Sequence, residues 1–269
     1  MKCTTCQSEL SLGARVCKHC GSPVSLNPSL EDIYFSRLTA NAPPAFVQKV
    51  RSAPYLAKEQ RIVTAIMFTI ANVDEFNEGI SEEERTPILN QALDRFAGII
   101  FKYEGTIAKL WENTVLAIFG APISHEDDPL RAVHAAQAIL DEVQLVSADI
   151  EAVYDIPLRL NLVINSGPVV IGDIKSNLKF NFRSLNKTLE CMDLAIRAAI
   201  PRCEVIILNN TYQFIKPHVK CQKLEDIYCD EIDTILLLWQ LDHLAVQDDQ
   251  YKRMPVTQIS TLVGRKREL

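Results

Sequence analysis

The segment KLWENTVLAIFGAP, residues 109–122, decides the fold of this chain. It places two apolar runs on either side of a two-residue break at Glu112-Asn113, and so short a break is typical of a hairpin. We therefore predict strands over 106–111 and 114–119. Upstream, the run IVTAIMFTI at 62–70 is nearly continuous in apolar and β-branched residues. Such a run predicts a strand that is covered on both faces of its sheet.

Apolar residues at helical spacing predict two long helices around this hairpin. The first covers 81–103, with Gly105 where a C-terminal cap would lie. The second begins at Asp128-Pro129, which predicts an N-cap followed by proline at the first helical position. Its apolar stripe comprises Ala132, Ala136, Ile139, Val143, Val146 and Ile150.

The later elements are shorter. The break Asn165-Ser166-Gly167 predicts a turn between two strands. Strands that alternate with helices, with hairpins inserted, predict a mixed α/β sandwich in which helices cover one sheet. We expect strands over 158–164, 169–174, 205–208, 220–228 and 234–241, and helices over 188–199 and 211–215.

Composition restricts the possible functions. The 269 residues are 48% hydrophobic and 23% charged, which is typical of a soluble globular chain with one sizeable domain. The net charge of -6 argues against DNA or RNA as the main partner, because such binding needs clustered Lys and Arg. We find neither an apolar stretch of about 20 residues nor a secretory signal, so we predict a cytoplasmic protein without a membrane segment.

The amino terminus carries two CxxC pairs, Cys3/Cys6 and Cys17/Cys20. Two such pairs provide the four thiolates of a structural Zn²⁺ site, and the metal would supply folding energy to a segment with almost no core. A thioredoxin-like redox pair is the alternative, but it needs a single CxxC beside a βαβ unit. We expect ordinary thiols at the remaining cysteines, which are Cys191, Cys203, Cys221 and Cys229.

Residues 21–44 are rich in Pro, Ser and Asn, which indicates a linker. A short helix is predicted after it, over 45–56. Phe46, Val47 and Val50 fall on one face of that helix, which suits packing on the next domain or on a partner.

Three segments together resemble the class III adenylate/guanylate cyclase domain: residues 109–122, HEDDPLRAV at 125–133 and LNLVINSGPVVIGDI at 160–174. The last is similar to the family's GINTGEVVVGDI hairpin, and the resemblance covers about residues 60–243. It implies the ferredoxin-like α+β sandwich of that family. It also implies a cyclase-like partner domain, because sites in this family form between two domains arranged head to tail.

The ends of the chain are similar to bacterial multidomain regulators that combine a zinc ribbon, a cyclase domain and an ATPase. LVGRKREL at 262–269 is similar to the phrase that opens the ATPase module, so that module is an expected partner. We predict a zinc ribbon at 1–22, a linker with a short helix at 23–60, a cyclase-like domain at 61–243 and a linker to the ATPase module at 244–269.

The resemblance implies a two-metal site held by two aspartates, and neither aspartate is present. Counting from Phe68 places Ile70 at the first position, and isoleucine cannot bind a hard cation. Asp74 is the nearest carboxylate, but reaching the site would need a shifted register. The family's K-x-x-G-D phrase here is Lys109-Leu-Trp-Glu-Asn113, so Asn113 replaces the second aspartate. We therefore expect Mg²⁺ and Mn²⁺ to bind poorly and ATP to bind weakly.

Other positions of the cyclase site match in part. The two purine-contacting positions of the family fall on Lys109 and Lys187, and two like charges make a poor purine pocket. The N-x-x-x-R pair falls either on Asp193 with Arg197 or on Glu190 with Leu194. Neither pair contains the asparagine, and Asp193 with Arg197 is also an ordinary i,i+4 pair on a helix.

Three functions remain open from the sequence. The first is a degenerate cyclase domain that has a regulatory role and acts through domain contacts. The second is an adenylate cyclase, converting ATP to cyclic AMP and pyrophosphate, that is active as one half of a heterodimer. The third is a zinc-ribbon adaptor in which the cyclase fold serves only as a scaffold.

Overall fold

The computed structural model describes residues 6, 8–9, 17–20, 36–37, 39–52, 60–111, 113–175, 179–183, 186–198, 204–230 and 233–244. Its helices are α1 Pro44–Ser52, α2 Val73–Gly79, α3 Glu82–Lys102, α4 Asp128–Tyr154, α5 Asn186–Ala198 and α6 Asn209–Ile215. Its strands are β1 Gln60–Ile70, β2 Thr106–Trp111, β3 Thr114–Phe119, β4 Leu160–Lys175, β5 Lys179–Arg183, β6 Val205–Leu208, β7 Val219–Lys223, β8 Ile227–Cys229, β9 Thr234–Leu236 and β10 Leu238–Leu244.

Within the described residues, eight strands form one sheet in the order β2-β3-β1-β4-β6-β10-β7, with β5 paired to β4 off this path. Every pairing is antiparallel except that of β4 with β6, whose parallel register joins Leu162 to Val205. β8 and β9 form a separate two-stranded hairpin. The mixed α/β fold predicted from the sequence is confirmed.

Both faces of the sheet are covered, as the apolar run of β1 predicts. Ile66, Phe68 and Ile70 of β1 point into a large core shared with α1, α3, α4 and α6. Val63, Ala65 and Met67 point to the opposite face, into a second core shared with α5 and the β8–β9 hairpin. This alternation follows from the two-residue period of a strand.

The predicted turn at 165–167 is wrong, because β4 runs unbroken from Leu160 to Lys175. It pairs with β1 along eleven positions, from Gln60 with Val170 to Ile70 with Leu160. Ser166 is buried, and its hydroxyl lies 2.9 Å from that of Thr64 on β1. A tripeptide with turn-like composition is therefore held in a strand by pairing on a neighbour and by a buried hydroxyl contact.

Helix boundaries agree with the sequence to within a few residues. The N-cap of α4 is Asp127, and Asp128 is the first helical residue. At the end of α3, the left-handed conformation falls on Glu104 (φ 64°), and Gly105 follows it. Gly105 is needed for space, because a Cβ there would lie 2.6 Å from Cζ of Phe119. α2 and β5 were not predicted from the sequence, and the four short strands β7 to β10 were predicted as two.

Helix α1 packs on the large core and on α3 through the face predicted to be apolar. Phe46 and Val50 are each 2% exposed, and the Phe46 ring lies 5.4 Å from that of Phe101 on α3. Upstream, the Arg37 guanidinium donates to the backbone oxygen of Asn90 (2.9 Å) and pairs with Asp94 (3.2 Å), both on α3. The end of the predicted linker is thus part of the packed domain.

Candidate functional site

The two positions to which the resemblance assigns metal-binding aspartates lie side by side. Ile70 ends β1, and Asn113 occupies the turn between β2 and β3. The backbone N–H of Ile70 donates to the backbone oxygen of Asn113 at 3.2 Å, and the Asn113 side-chain amide donates to the backbone oxygen of Ile70 at 2.9 Å. The structure therefore brings the two predicted positions together.

Neither side chain supplies an anionic oxygen at this place. The Ile70 side chain is 4% exposed and belongs to the large core, on the same face of β1 as Phe68. The Phe68 ring packs edge-on against Phe96 at 6.0 Å, so the face is filled by hydrocarbon. Asn113 uses its amide nitrogen on the Ile70 carbonyl and retains one neutral oxygen. Mg²⁺ prefers several oxygen ligands in octahedral geometry, commonly including carboxylates.

The shifted register that would bring Asp74 to the site is not adopted. Asp74 lies in the first turn of α2 and is exposed. The loop before it is held by Asn72, whose amide donates to the Pro157 backbone oxygen (2.8 Å) and accepts from the Arg159 backbone N–H (3.1 Å). These contacts tie the start of α2 to the segment that leads into β4.

The candidate purine-contacting residues are only partly described. Lys109 is exposed on β2, at the edge of the sheet, where a register shift separates it from Ile107. Lys187 lies in the first turn of α5, and its side chain is outside the described residues.

Asp193 and Arg197 form an ion pair on α5, one helical turn apart. Their side chains are 50% and 72% exposed, respectively, on the face opposite the buried Met192 and Ala195. In the alternative match, Glu190 is exposed and Leu194 packs on the second core. As a pair of exposed charges, Asp193 and Arg197 contribute only a few tenths of a kcal/mol to stability.

Three of the four predicted zinc ligands are described, and they converge. The sulfur atoms of Cys6, Cys17 and Cys20 lie within 4.8 Å of one another, with Cys6 and Cys17 separated by 3.6 Å. Four thiolates around Zn²⁺ at about 2.3 Å would lie about 3.8 Å apart, so the residues fit a tetrahedral zinc ion. The fourth predicted ligand, Cys3, lies outside the described residues.

A group of charged residues that no sequence motif indicated lies at the opposite end of the β2–β3 hairpin from Asn113. We call it the His125 cluster; it comprises Lys49, Glu104, His125, Asp127, Asp128 and Arg131. His125 lies between two carboxylates, with Nε2 2.7 Å from Glu104 Oε2 and Nδ1 3.3 Å from Asp128 Oδ1. Lys49 of α1 donates to both oxygens of Glu104 at 2.5 and 2.7 Å.

Burial and hydrogen bonding shift the pKa values in this cluster. Hydrogen bonds to Asp128 and then to Glu104 raise the pKa of His125, against the opposing effects of burial and of the Arg131 charge. Burial acts to raise the pKa of Glu104, but hydrogen bonds from His125 and Lys49 outweigh it and lower that pKa to about 2. The protonated imidazole is thus the form that the two carboxylates favour.

Comparison with solved structures identifies the fold. The guanylyl cyclase Cya2 superimposes with a TM-score of 0.62 at 21% identity, over 72% of this chain and 98% of that structure. The chain has the class III cyclase fold. The adenylyl cyclase CyaB from P. aeruginosa gives the same TM-score at 22% identity, over 70% of this chain and 97% of that structure. No family model matches the sequence.

One curated protein with a related name also matches this chain in sequence. Adenylate cyclase 1 of Rhizobium meliloti (strain 1021) is 23% identical over 127 residues, which are 47% of this chain and 19% of that protein. The match therefore spans about a fifth of the relative's length. In the part of the chain that the structure describes, no helix combines the length and apolar character needed to cross a membrane.

Proposed function

We propose that this chain is a degenerate nucleotidyl cyclase domain that makes no cyclic nucleotide by itself and regulates through contacts with other domains. The observation that carries the proposal is the pair Ile70 and Asn113. Two-metal phosphoryl transfer needs carboxylates that hold both ions against the triphosphate. A buried isoleucine and an amide that is bonded to the backbone offer one neutral oxygen in their place.

The proposed partners are a second cyclase-like domain and a C-terminal ATPase module. The intact fold supports a cyclase-like partner, because a domain can keep the contacts that form a two-domain site after it has lost the chemistry. The proposal of an ATPase partner is based on the resemblance of residues 262–269 to the start of such a module, and these residues lie outside the described ones. Cytoplasmic location is part of the proposal, since a reducing compartment would keep the cysteines available for zinc.

A test of this function is cyclic-nucleotide production by the purified chain with ATP or GTP and Mn²⁺, measured with and without an active cyclase domain. Manganese is the permissive choice, because it binds imperfect sites more readily than Mg²⁺. We expect no product from the chain alone and no increase over the partner's own rate. Product from the chain alone would contradict the proposal.

The same assay tests the alternative that this chain is one half of an active heterodimeric cyclase. If a mixture exceeds the partner's own rate, Arg197→Ala tests whether this chain lends the arginine of the site. Arg95→Ala is the matched control, since it removes an arginine from another exposed ion pair, with Glu142, outside the candidate site. Stimulation that Arg197→Ala abolishes and Arg95→Ala preserves would favour a half-active enzyme over a regulatory domain.

We also propose one structural zinc ion, held by Cys3, Cys6, Cys17 and Cys20. The ion would supply the folding energy that this short segment cannot obtain from a core. Metal analysis of the full chain should give about one zinc per chain, and Cys6→Ser or Cys17→Ser should remove it. Cys191→Ser is the control and should keep the zinc. Unchanged zinc content in the first two variants would contradict the assignment.

A further inference from the structure

The His125 cluster joins three segments that are distant in sequence. Lys49 belongs to α1, Glu104 lies in the turn between α3 and β2, and His125 lies in the connection between β3 and α4. Glu104 is thus just before the β2–β3 hairpin and His125 is just after it. The contact between them fastens both ends of the hairpin that carries Lys109 and Asn113.

Among the six residues of the cluster, positive and negative charges are equal in number when His125 is protonated. Lys49, Arg131 and the imidazolium then face the carboxylates of Glu104, Asp127 and Asp128. Arg131 Nε lies 2.7 Å from Asp127 Oδ1, and one of its terminal nitrogens lies 3.9 Å from Glu104 Oε2. Arg61 of β1 contributes a further charge nearby, where it donates to the backbone oxygen of Pro122 at 3.3 Å.

Loss of the proton must break one of the two contacts of His125. A neutral imidazole has one N–H and one lone pair, so it can donate to Glu104 or to Asp128 but not to both. The other carboxylate would then face a lone pair in a place where the His125 and Glu104 side chains are only 20% and 22% exposed. At that exposure, water cannot fully replace the lost hydrogen bond. Glu104 accepts from both Lys49 and His125, so its position depends on the protonation of His125.

We propose that His125 is the titrating centre of a latch that, at about pH 6, holds helix α1 and the β3–α4 connection against the α3–β2 turn and loosens as the pH rises. Of the helices that meet at the cluster, α1 is the most sensitive to this change, because it is shorter than α3 and α4 and is anchored by Phe46, Val50 and the Lys49 pair. The latch connects α1 to the β2–β3 hairpin, which carries Lys109 and Asn113. The proposal does not depend on whether the cyclase-like site is active.

The test is hydrogen–deuterium exchange of the full zinc-loaded chain at about pH 6 and about pH 8.5, on either side of the ordinary histidine pKa. Rates are divided by the intrinsic rate at each pH. We expect the protection of peptides from 44–52 and 120–127 to fall about tenfold at the higher pH, the size of one charge-assisted hydrogen bond. Peptides from the middle of α4 should keep their protection.

Variants distinguish an effect through His125 from a general loss of stability at the higher pH. His125→Gln should show low protection of these peptides at both pH values, whereas His243→Gln, at an exposed position of β10, should behave like the wild type. Lys49→Met should lower the protection of 44–52 at both pH values and leave the pH response of 120–127 in place. Equal protection of the wild type at both pH values, or an unchanged response in His125→Gln, would overturn the proposal.

A measurement on the unmodified chain covers the case in which His125→Gln does not fold. The imidazole nitrogen shifts of His125, followed by NMR across the same pH range, report its protonation directly. We expect His125 to titrate above the ordinary histidine value. Titration at or below that value would overturn the latch.

Discussion

The side-chain amide of Asn113 donates a hydrogen bond of 2.9 Å to the backbone oxygen of Ile70, and the Ile70 N–H donates in return to the Asn113 backbone oxygen at 3.2 Å. This reciprocal pair joins the end of β1 to the turn of the β2–β3 hairpin. An aspartate at position 113 could not make the first of these bonds, because a carboxylate has no N–H to donate.

Asn113→Asp should therefore destabilise the chain by about 1 kcal/mol at neutral pH, since it places a carboxylate oxygen against a carbonyl oxygen at a half-buried position. Urea unfolding measures the change. Asn77→Asp, at an exposed position of α2, is the control and should have little effect. Equal stability of Asn113→Asp and the wild type would show that this hydrogen bond contributes nothing.

Phe46→Ala should cost about 3 to 4 kcal/mol, because it empties a site that is 2% exposed and removes the contact with Phe101. Gln48→Ala, on the exposed side of the same helix, should change stability by less than about 0.5 kcal/mol. The two variants can be compared by thermal unfolding. If they unfold at the same temperature, α1 does not contribute to the stability of the fold, and residues from 61 onward would be equally stable without it.

Acid should destabilise the chain partly through Glu104. Its pKa in the folded state is about 2, against an ordinary value of 4.5, so its ionised form stabilises the fold above about pH 4.5. That contribution, up to about 3 kcal/mol, is lost as the pH falls towards 2. Glu104→Gln keeps the left-handed backbone and removes the titration, so its stability should fall less steeply between about pH 5 and pH 2. Parallel acid profiles of variant and wild type would contradict this.

Two glycines at the end of α3 should respond in opposite directions to alanine. Gly105→Ala places a methyl group 2.6 Å from Phe119 Cζ and 2.9 Å from Ile100 Cγ2, which should cost about 1 to 3 kcal/mol. Gly98 has open space around it within the helix, so Gly98→Ala should stabilise by about 0.5 to 1 kcal/mol. Chemical unfolding of both variants checks the pair. Stabilisation by Gly105→Ala would show that the close approach is absent.

The hairpin and the long helices were predictable because their signals are local. The limits of β2 and β3 follow from two apolar runs and the break between them. The continuity of β4 was not predictable, because Asn165-Ser166-Gly167 has the composition of a turn and is kept extended by its pairing with β1.

The proximity of candidate site positions was predictable only where a motif fixes the register. Ile70 and Asn113 were placed by their spacing from Phe68 and Lys109, and the fold brings them together. The His125 cluster had no such signal, because its residues come from three segments and are ordinary surface residue types. Their significance comes from the packing of α1 and from burial, which follow from the tertiary structure alone.

The most direct measurement is the binding of Mn²⁺ to the zinc-loaded full chain, followed by electron paramagnetic resonance, with Asn113→Ala as the comparison. We expect no saturable Mn²⁺ site up to roughly 1 mM free ion, and no difference between the two proteins, because isoleucine and a backbone-bonded amide cannot replace two carboxylates. A stoichiometric site of micromolar affinity that is lost in Asn113→Ala would contradict the proposal that this chain lacks the metal centre of a nucleotidyl cyclase.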